Sequence, residues 1–281
     1  VQLTATTAAV TPASQQLVYC PQKLVLGVGC ARGYDTESLA EFVTAQLALH
    51  NINPAAIAAI ASIDVKADEP AILALAQRLA VPYRVFSAAE LDAQTDRLVT
   101  PSKTVFDEMG VYGVAEAAAL ALAGPVAGLL VPKQKSDNAT MAVAAMPEPV
   151  HSISALAGRK PGRVMLIGIG PGQSEWRTPE AAKWVQASDE LVGYGLYIDI
   201  LGSAAAHIPR ADFALGEEEA RCRYALERAA TGLDVAIICS GDAGIYAMGA
   251  LVYELLDRDS AAGGVSAAAR RVRGVTAPGI S

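Results

Sequence analysis

Charged residues are scarce in this 281-residue sequence, where Asp, Glu, Lys and Arg make up only 18% against 52% hydrophobic residues. This composition excludes a disordered chain, because disordered segments have too few apolar side chains to form a core. The length favours two domains of about 100–200 residues each. The net charge of −7 argues against a general nucleic-acid surface, which would need many basic groups.

Long hydrophobic runs are absent as well. The best candidate, residues 117–131, is shorter than the ~20 residues that a membrane-spanning helix needs, and Gly124-Pro125 interrupts it. No basic segment precedes a long apolar core near the first residue, so no signal peptide is expected. We therefore expect a cytoplasmic protein that has no membrane partner.

Cysteine is also infrequent, and the four residues Cys20, Cys30, Cys222 and Cys239 show neither metal-ligand spacing nor a paired framework. Cys30 and Cys239 lie in or beside apolar runs that are typical of strands. Reduced thiols are the simplest interpretation of this pattern. We therefore expect no metal site and no disulfide framework.

Both ends indicate part of a longer polypeptide. The sequence does not begin with Met, and its last four residues, Pro-Gly-Ile-Ser at 278–281, form a turn with no element after it. We therefore expect further residues on both sides.

The hydrophobic pattern divides the sequence into two similar parts. We predict a tail at residues 1–20, a first domain at 21–147, a linker rich in Pro and Gly at 148–161, and a second domain at 162–281. Strand and helix patterns alternate in both domains, which predicts a sheet between two layers of helices. The expected fold class is therefore α/β, with two successive three-layer domains and mainly parallel sheets.

Individual elements follow from hydrophobic periodicity and from start and stop signals. In the first domain we predict strands at 23–28, 58–63, 83–86 and 127–131 and helices at 70–79 and 114–123. A further helix follows residue 33, where Ser38 and Glu41 have the spacing of a capping box. In the second domain we predict strands at 163–169, 190–192 and 235–239 and helices at 178–187, 217–231 and 245–256.

Each domain opens with a strand that leads into a glycine-rich turn, at residues 27–33 and 168–172. In open α/β sheets the carboxyl ends of the strands are the usual ligand site. A dinucleotide site is one interpretation, since Glu190 lies about twenty residues past Gly170. Neither turn is a full G-x-G-x-x-G, however, and Pro171 removes an amide that a pyrophosphate would use. From the residues alone, a nucleotide site, another ligand site and a plain turn remain equally open.

Three motifs of the second domain resemble those of the tetrapyrrole (corrin/porphyrin) methylases. They lie at residues 167–172 with 178–181, at 192–194 with 197–199, and at 240–248. The form of the third motif, together with Gly216-Glu217-Glu218, is similar to the branch that methylates precorrin-3B at C-17. The resemblance covers about residues 162–281 and implies an incomplete methylase: the first of two lobes.

This resemblance implies methylation of precorrin-3B with ring contraction, with S-adenosylmethionine bound between two lobes and a homodimer at full length. Cofactor-binding residues are then Pro171, Ser240, Gly241, Asp242 and Ile245. The turn formed by Gly168, Gly170 and Gly172 would face the tetrapyrrole. Candidates for a catalytic acid or base are Tyr194, Asp199 and Asp242, although Tyr194 and Asp199 fit a structural turn equally well. Two departures from the family pattern are Gln173 in place of an acid and Ala243 in place of a proline.

The first domain resembles the C-terminal domain of the CbiG family, which is related to CobE. The matching segments are 24–33, 61–69, 113–118 and 133–135. CbiG opens a δ-lactone on a cobalt-precorrin and releases acetaldehyde, so the resemblance implies action on a lactone-bearing corrinoid intermediate. Substrate-binding candidates are Lys66, Glu69, Ser102, Glu116, Lys133 and Lys135.

These candidates have simpler interpretations. Glu69 would complement a helix N-terminus, and Glu116 would be a solvated helix residue. Cys30 is a possible nucleophile, but a buried structural thiol is favoured because no histidine lies near it in the sequence. Two other functions remain as alternatives to a precorrin enzyme: a non-catalytic corrinoid-binding or carrier module, and a nucleotide-dependent oxidoreductase.

Overall fold

The computed structural model describes residues 2–244 and 248–280, and the chain divides into two compact units, 1–160 and 161–281. Unit 1 begins with a small parallel sheet of β1 (Gln2–Ala5) and β2 (Gln16–Tyr19). The segment predicted as a tail is therefore tied down, and the Asn53 amide also donates to the Thr7 carbonyl at 2.8 Å.

The main sheet of unit 1 has the strand order β5-β4-β3-β7-β6. In chain order its elements are β3 (Leu24–Cys30), α1 (Thr36–Leu49), β4 (Ile57–Ile63), α2 (Pro70–Leu79), β5 (Tyr83–Phe86), α3 (Ala88–Asp92), α4 (Lys103–Met109), α5 (Val114–Ala123), β6 (Gly128–Lys135) and β7 (Ala139–Ala145). Strands β3, β4 and β5 are parallel, whereas β7 runs antiparallel to both β3 and β6. This sheet is mixed because β7 is antiparallel to its neighbours. The sequence pattern did not predict β7.

Helices cover both faces of this sheet. Leu26 of β3 and Ile60 of β4 face α1 and α2 in one apolar cluster, whereas Val25 and Ala61 face α5 in another. Alternate strand residues point to opposite faces, so one strand contributes to both clusters. The prediction of three layers is confirmed for this unit.

The start of α1 differs from its prediction. The Asp35 carboxylate accepts a hydrogen bond from the Ser38 amide at 2.7 Å, so Asp35 is the N-cap. The capping box predicted from Ser38 and Glu41 is wrong, because the helix already begins at Thr36 and Ser38 lies inside it. Asp and Ser are both good N-caps, so sequence preference alone does not choose between them.

The segment predicted as a linker packs against unit 1. The Val150 amide donates to the Gln22 carbonyl at 2.9 Å, and Arg159 forms a short β-bridge with Val85. The Arg159 guanidinium also pairs with the Asp64 carboxylate at 2.9 Å. Residues 148–160 therefore extend the fold of unit 1.

Unit 2 is built on a wholly parallel sheet with the order β10-β9-β11-β8-β12. Its elements are β8 (Arg163–Gly168), α6 (Pro179–Gln186), β9 (Glu190–Tyr194), α7 (Gly195–Asp199), β10 (Arg210–Phe213), α8 (Glu218–Ala230), β11 (Asp234–Cys239), α9 (Met248–Asp257) and β12 (Arg273–Ala277). Helices α8 and α9 cover one face, and α6 and α7 cover the other.

The predicted elements of unit 2 are confirmed to within a few residues, and so is the overall class of two α/β units with mainly parallel sheets. The predicted start of the last helix at Ile245 lies outside the described residues. Among the helices of the described ranges, none combines the length and the apolar character that a bilayer crossing requires.

Candidate functional site

Three glycine turns of unit 2 meet at the carboxyl edge of its sheet. Gly170 and Gly241 exchange two backbone hydrogen bonds of 3.1 and 2.9 Å. A Cβ atom on Gly168 would lie only 2.5 Å from the Gly241 carbonyl oxygen, and one on Gly279 would collide with the same atom. Because any side chain would force these backbones apart, the glycines bring the ends of β8, β11 and β12 together.

Asp242 ties two of these turns together. Its Oδ1 atom accepts a hydrogen bond from the Gly244 amide at 2.7 Å, and its Oδ2 atom accepts one from the Gly279 amide at 2.9 Å. The side chain is half-buried, and each carboxylate oxygen retains a second acceptor position. Asp242 is therefore a structural bridge that can still accept a hydrogen bond from a ligand.

The other predicted cofactor residues flank this bridge. Ser240 and Pro171 are both exposed, and the Ser240 hydroxyl makes no hydrogen bond within the described ranges. Gly170 and Gly172 have φ angles of 66° and 118°, which place the first turn in conformations that favour glycine. Ile245, the remaining cofactor candidate, falls outside the part of the chain that the structure describes.

The two catalytic candidates on β9 and α7 differ in their surroundings. Tyr194 ends β9 at the same carboxyl edge, and its ring packs edge-to-face against Tyr197 with centroids 5.3 Å apart. Asp199 is 64% exposed and pairs with Arg210 at 2.7 Å, and Arg210 also pairs with Asp212 at 2.7 Å. Hydrogen bonds that the Arg210 guanidinium donates to Asp212, and then to Asp199, raise the pKa of Arg210. Asp199 therefore belongs to a surface ion-pair group, which sequence spacing gave no means to detect.

Glu190, the acid that supports a dinucleotide site, lies at the wrong edge. It opens β9, whereas Gly168 ends β8, and the two strands run in the same direction within the sheet. Glu190 is buried and accepts hydrogen bonds from the Tyr224 hydroxyl and the Arg228 Nε, both at 2.7 Å. A ribose at the glycine turn would not reach Glu190. The oxidoreductase alternative therefore loses the residue that was expected to bind the ribose.

Unit 1 has an open cleft of about 680 Å³ at the carboxyl ends of β3 and β4. Helix α4 and the β6–β7 hairpin form its other walls. Its polar lining includes the four predicted substrate-binding residues Lys66, Ser102, Lys133 and Lys135 and the possible nucleophile Cys30. It also includes polar residues that the sequence did not single out: Thr104, Glu108, Asp137, Asn138 and Thr140.

Glu69 braces the wall of this cleft from behind. Its side chain is fully buried, and its two oxygens accept the Gly33 amide at 3.0 and 3.2 Å. The Arg32 guanidinium lies 3.7 Å from the carboxylate, and the Lys66 ammonium lies 3.5 Å from it. The glutamate therefore fixes the turn after β3, and it makes no side-chain bond to the N-terminus of α2.

Glu116 is a second internal brace. It accepts hydrogen bonds from the amides of Val99, Thr100 and Lys133 at 2.9, 3.0 and 2.8 Å and from the Thr100 hydroxyl at 2.9 Å. Burial raises the pKa of the carboxyl, but these hydrogen bonds outweigh burial, so its pKa lies below its ordinary value. The interpretation of Glu116 as a solvated helix residue is wrong, because α5 lies inside the unit with this side chain only 1% exposed.

Cys30 lies on the floor of the cleft and is half-buried. Burial, and then the nearby Glu69 carboxylate, raise the pKa of its thiol to about 11. Because the thiolate is the reactive form, Cys30 is poorly suited to act as a nucleophile near neutral pH.

Two family models match the chain. "Cobalamin synthesis G C-terminus" matches residues 24–144, and "Tetrapyrrole (Corrin/Porphyrin) Methylases" matches residues 163–271. These matches confirm both resemblances that the motifs indicate.

Curated relatives agree with this division. Protein CobE of Sinorhizobium sp. is 46% identical over 121 residues, covering 43% of this chain and 79% of the relative. Precorrin-3B C(17)-methyltransferase of Sinorhizobium sp. is 39% identical over 100 residues, covering 36% of this chain and 39% of the relative. Cobalt-precorrin-5A hydrolase of Priestia megaterium is 33% identical over 131 residues, covering 47% of this chain and 34% of the relative.

The chain thus spans most of the CobE relative but only 39% of the methyltransferase relative. Unit 1 and unit 2 each match a different component of one biosynthetic route. The chain belongs to the cobalamin-biosynthesis proteins, with a CobE-like domain of the cobalamin synthesis G C-terminal family followed by a tetrapyrrole methylase domain.

Proposed function

We propose that unit 2 supplies the first lobe of an S-adenosylmethionine-dependent enzyme that methylates precorrin-3B at C-17 with ring contraction. The observation that supports this best is the meeting of three glycine turns at one carboxyl edge, tied by Asp242. The methylase family match and the precorrin-3B methyltransferase relative give the reaction class.

The residues at this edge fit such a cofactor. Ser240 offers an exposed hydroxyl, and Asp242 offers a half-buried carboxylate with acceptor positions to spare. We propose that Ser240, Gly241 and Asp242 hold the polar groups of the cofactor, with Pro171 beside them. When bound, S-adenosylmethionine supplies an electrophilic methyl group.

The role of the protein in this reaction is mainly to orient the reactants. The turn Gly170-Pro171-Gly172, in which Pro171 is exposed, lies beside the Asp242 turn, and we propose that it faces the tetrapyrrole. Of the acid–base candidates, Tyr194 and Asp242 lie at this edge of the sheet, whereas Asp199 is held by Arg210. We therefore propose that proton transfer during ring contraction uses Tyr194 or Asp242.

For unit 1 we propose action on a lactone-bearing corrinoid intermediate, supported by its lysine-lined cleft and by the hydrolase relative. Release of acetaldehyde from a lactone-bearing cobalt-precorrin would distinguish this from a carrier function. A carrier would bind the corrinoid and return it unchanged.

The methylation proposal is tested on the longest natural protein that contains this chain. We expect transfer of labelled methyl groups from S-adenosylmethionine to precorrin-3B, and at least a tenfold loss in Asp242→Ala. The matched control is Asp259→Ala, since Asp259 is an exposed carboxylate, 79% accessible, that pairs only with Arg270 within the described ranges. Absence of transfer, with a known precorrin methylase active in parallel, would contradict the proposal.

A second measurement concerns this chain alone. We expect S-adenosylhomocysteine to bind it weakly and no methyl transfer to occur, because the chain spans only 39% of the methyltransferase relative. Losing half of a pocket would cost several kcal/mol, and ~1.4 kcal/mol is tenfold in affinity. Micromolar binding by calorimetry would show that the edge of unit 2 suffices.

A further inference from the structure

The polar side chains at the cleft of unit 1 fall into two groups. Some form hydrogen bonds that stabilise the fold, and others keep donors that a ligand could use. We propose that the cleft binds one carboxylate-bearing edge of a corrin polyacid, with Lys66 and Lys135 contacting the carboxylate and Ser102 donating a further hydrogen bond. This inference rests on the proposed function of unit 1 and names the groups that recognise its substrate.

Lys66 retains most of its hydrogen-bonding capacity. Its only ion pair within the described ranges is with Glu69, at 3.5 Å. That carboxylate already receives the Gly33 amide and lies near Arg32. An ammonium group has three donors, and the Lys66 side chain is 12% exposed on the cleft wall. It is a largely desolvated cation that faces open space on one side.

The side chains of Lys135 and Ser102 have fewer polar contacts within the described residues than that of Lys66. Lys135 is exposed at the end of β6 and forms neither a side-chain hydrogen bond nor an ion pair with any residue in 2–244 or 248–280. Ser102 is the N-cap of α4, yet its hydroxyl makes no capping hydrogen bond. Both residues line the cleft, on walls other than that of Lys66.

Lys133 and the two buried glutamates play a different part. The Lys133 ammonium donates to the Thr100 carbonyl at 2.9 Å, and its amide donates to Glu116. It adds positive charge to the lining but is held in place. Glu69 and Glu116, both predicted to bind substrate, are buried and accept backbone hydrogen bonds that hold the turn after β3 and the segment at Val99 and Thr100.

Charge and size indicate the class of ligand. The lining has three lysines against the two acids Glu108 and Asp137, in a chain whose net charge is −7. The volume of about 680 Å³ lies within the range of ordinary small-molecule pockets, roughly 300–1,000 Å³. A complete corrin with all of its side chains is larger, so the cleft takes an edge of the macrocycle and leaves the rest outside.

The test compares two probes that share a ring and differ in charge. Dicyanocobyrinic acid has free carboxylates, and its methyl ester has none. We expect the full chain to bind the acid at least about tenfold more tightly than the ester, since hydrogen bonds to charged groups are the stronger ones. We also expect affinity for the acid to fall with added salt, because screening weakens charge attraction.

Variants then assign the contacts. Lys66→Met and Lys135→Met should each weaken binding of the acid about tenfold and leave binding of the ester unchanged. Lys66→Arg should retain binding. Lys103→Met is the matched control, because Lys103 is exposed on α4 and does not line the cleft. A melting curve accompanies each variant, since Lys66 also neutralises buried Glu69; exposed Lys135 gives the cleaner result.

The outcomes distinguish failure of this inference from failure of the corrinoid role proposed for unit 1. If the acid binds in a charge-dependent way but both Lys→Met variants bind like wild type, the assignment of Lys66 and Lys135 is wrong. If acid and ester bind equally, carboxylate recognition is wrong. If neither probe binds, both this inference and the corrinoid role of unit 1 fail. Methyl transfer by the longest natural protein that contains this chain is a separate readout, and none of these variants should change it.

Discussion

The candidate ligand sites at the carboxyl edges of the two sheets are built in different ways. In unit 1, side chains define the edge, and lysines line an open cleft whose walls are braced by buried Glu69 and Glu116. In unit 2, the backbone defines it, and the glycine turns are packed so closely that one carboxylate, Asp242, bridges them. Both edges lie where parallel strands end, which is where ligands gather in α/β folds.

This difference predicts how each edge fails. The stability of unit 1 should tolerate substitution of the free lysines but should depend on the carboxylates that hold the walls of the cleft. The stability of unit 2 should depend little on side chains at its carboxyl edge but should fall when atoms are added to the glycines. Four measurements test this comparison.

The largest effect is expected at Glu116. Glu116→Ala would leave the Val99, Thr100 and Lys133 amides without their acceptor. These amides and the Thr100 hydroxyl are only partly buried, so each should cost near the lower end of the roughly 1–3 kcal/mol of an unsatisfied buried group. We therefore expect a loss of about 4 kcal/mol in the free energy of unfolding of unit 1. Urea denaturation measures this, with exposed Glu41→Ala as the control. A loss below about 1 kcal/mol would show that water replaces the carboxylate.

Added volume should harm unit 2 almost as much. Gly168→Ala would place a Cβ atom 2.5 Å from the Gly241 carbonyl oxygen, and overpacking typically costs 1–3 kcal/mol. We expect a loss of about 3 kcal/mol in the unfolding free energy of unit 2. Gly274→Ala is the control, because its nearest neighbour, Tyr253, is 3.4 Å away. Equal melting of the two variants would refute the close packing of the turns.

A smaller effect is expected in acid. The pKa of Glu116 is lower in the folded protein than its ordinary value, so its contribution to stability is present above the unfolded pKa of about 4.3. That contribution is lost as pH falls through the lower folded pKa. The unfolding free energy of wild type should therefore decline more steeply below about pH 4.3 than that of Glu116→Gln. Parallel pH profiles of the two proteins would contradict this.

The smallest effect is expected at Cys30. With a thiol pKa of about 11, Cys30 is protonated near neutral pH, and Cys30→Ser should change the affinity for dicyanocobyrinic acid less than about twofold. Alkylation of Cys30 should be slow at neutral pH and accelerate as pH rises toward 11, since the thiolate reacts. Rapid alkylation at neutral pH, or a tenfold loss of affinity, would restore Cys30 as a reactive group.

Much of the secondary structure and both family resemblances could be predicted from the sequence, because short contiguous segments determine them. Helices α2 and α5 and strand β5 begin and end where periodicity, Pro70 and flanking residues place them. The two family matches follow from short contiguous motifs around Lys66 and Asp242. Strand β7 was missed because four of the seven residues of Ala139–Ala145 are alanine, which does not favour a strand, and its place is set by pairing with β3 and β6.

The roles of the site residues were decided only by the tertiary structure. Glu69, Glu116 and Lys66 all look like ligand-binding polar residues in the sequence, yet two are buried braces and one faces a cleft. Asp199 is held by Arg210, and Asp242 reaches a glycine 37 positions away. A sequence specifies which donors and acceptors exist, but burial and partners depend on contacts between distant segments, and these contacts determine whether a charge is used by the fold or left for a ligand.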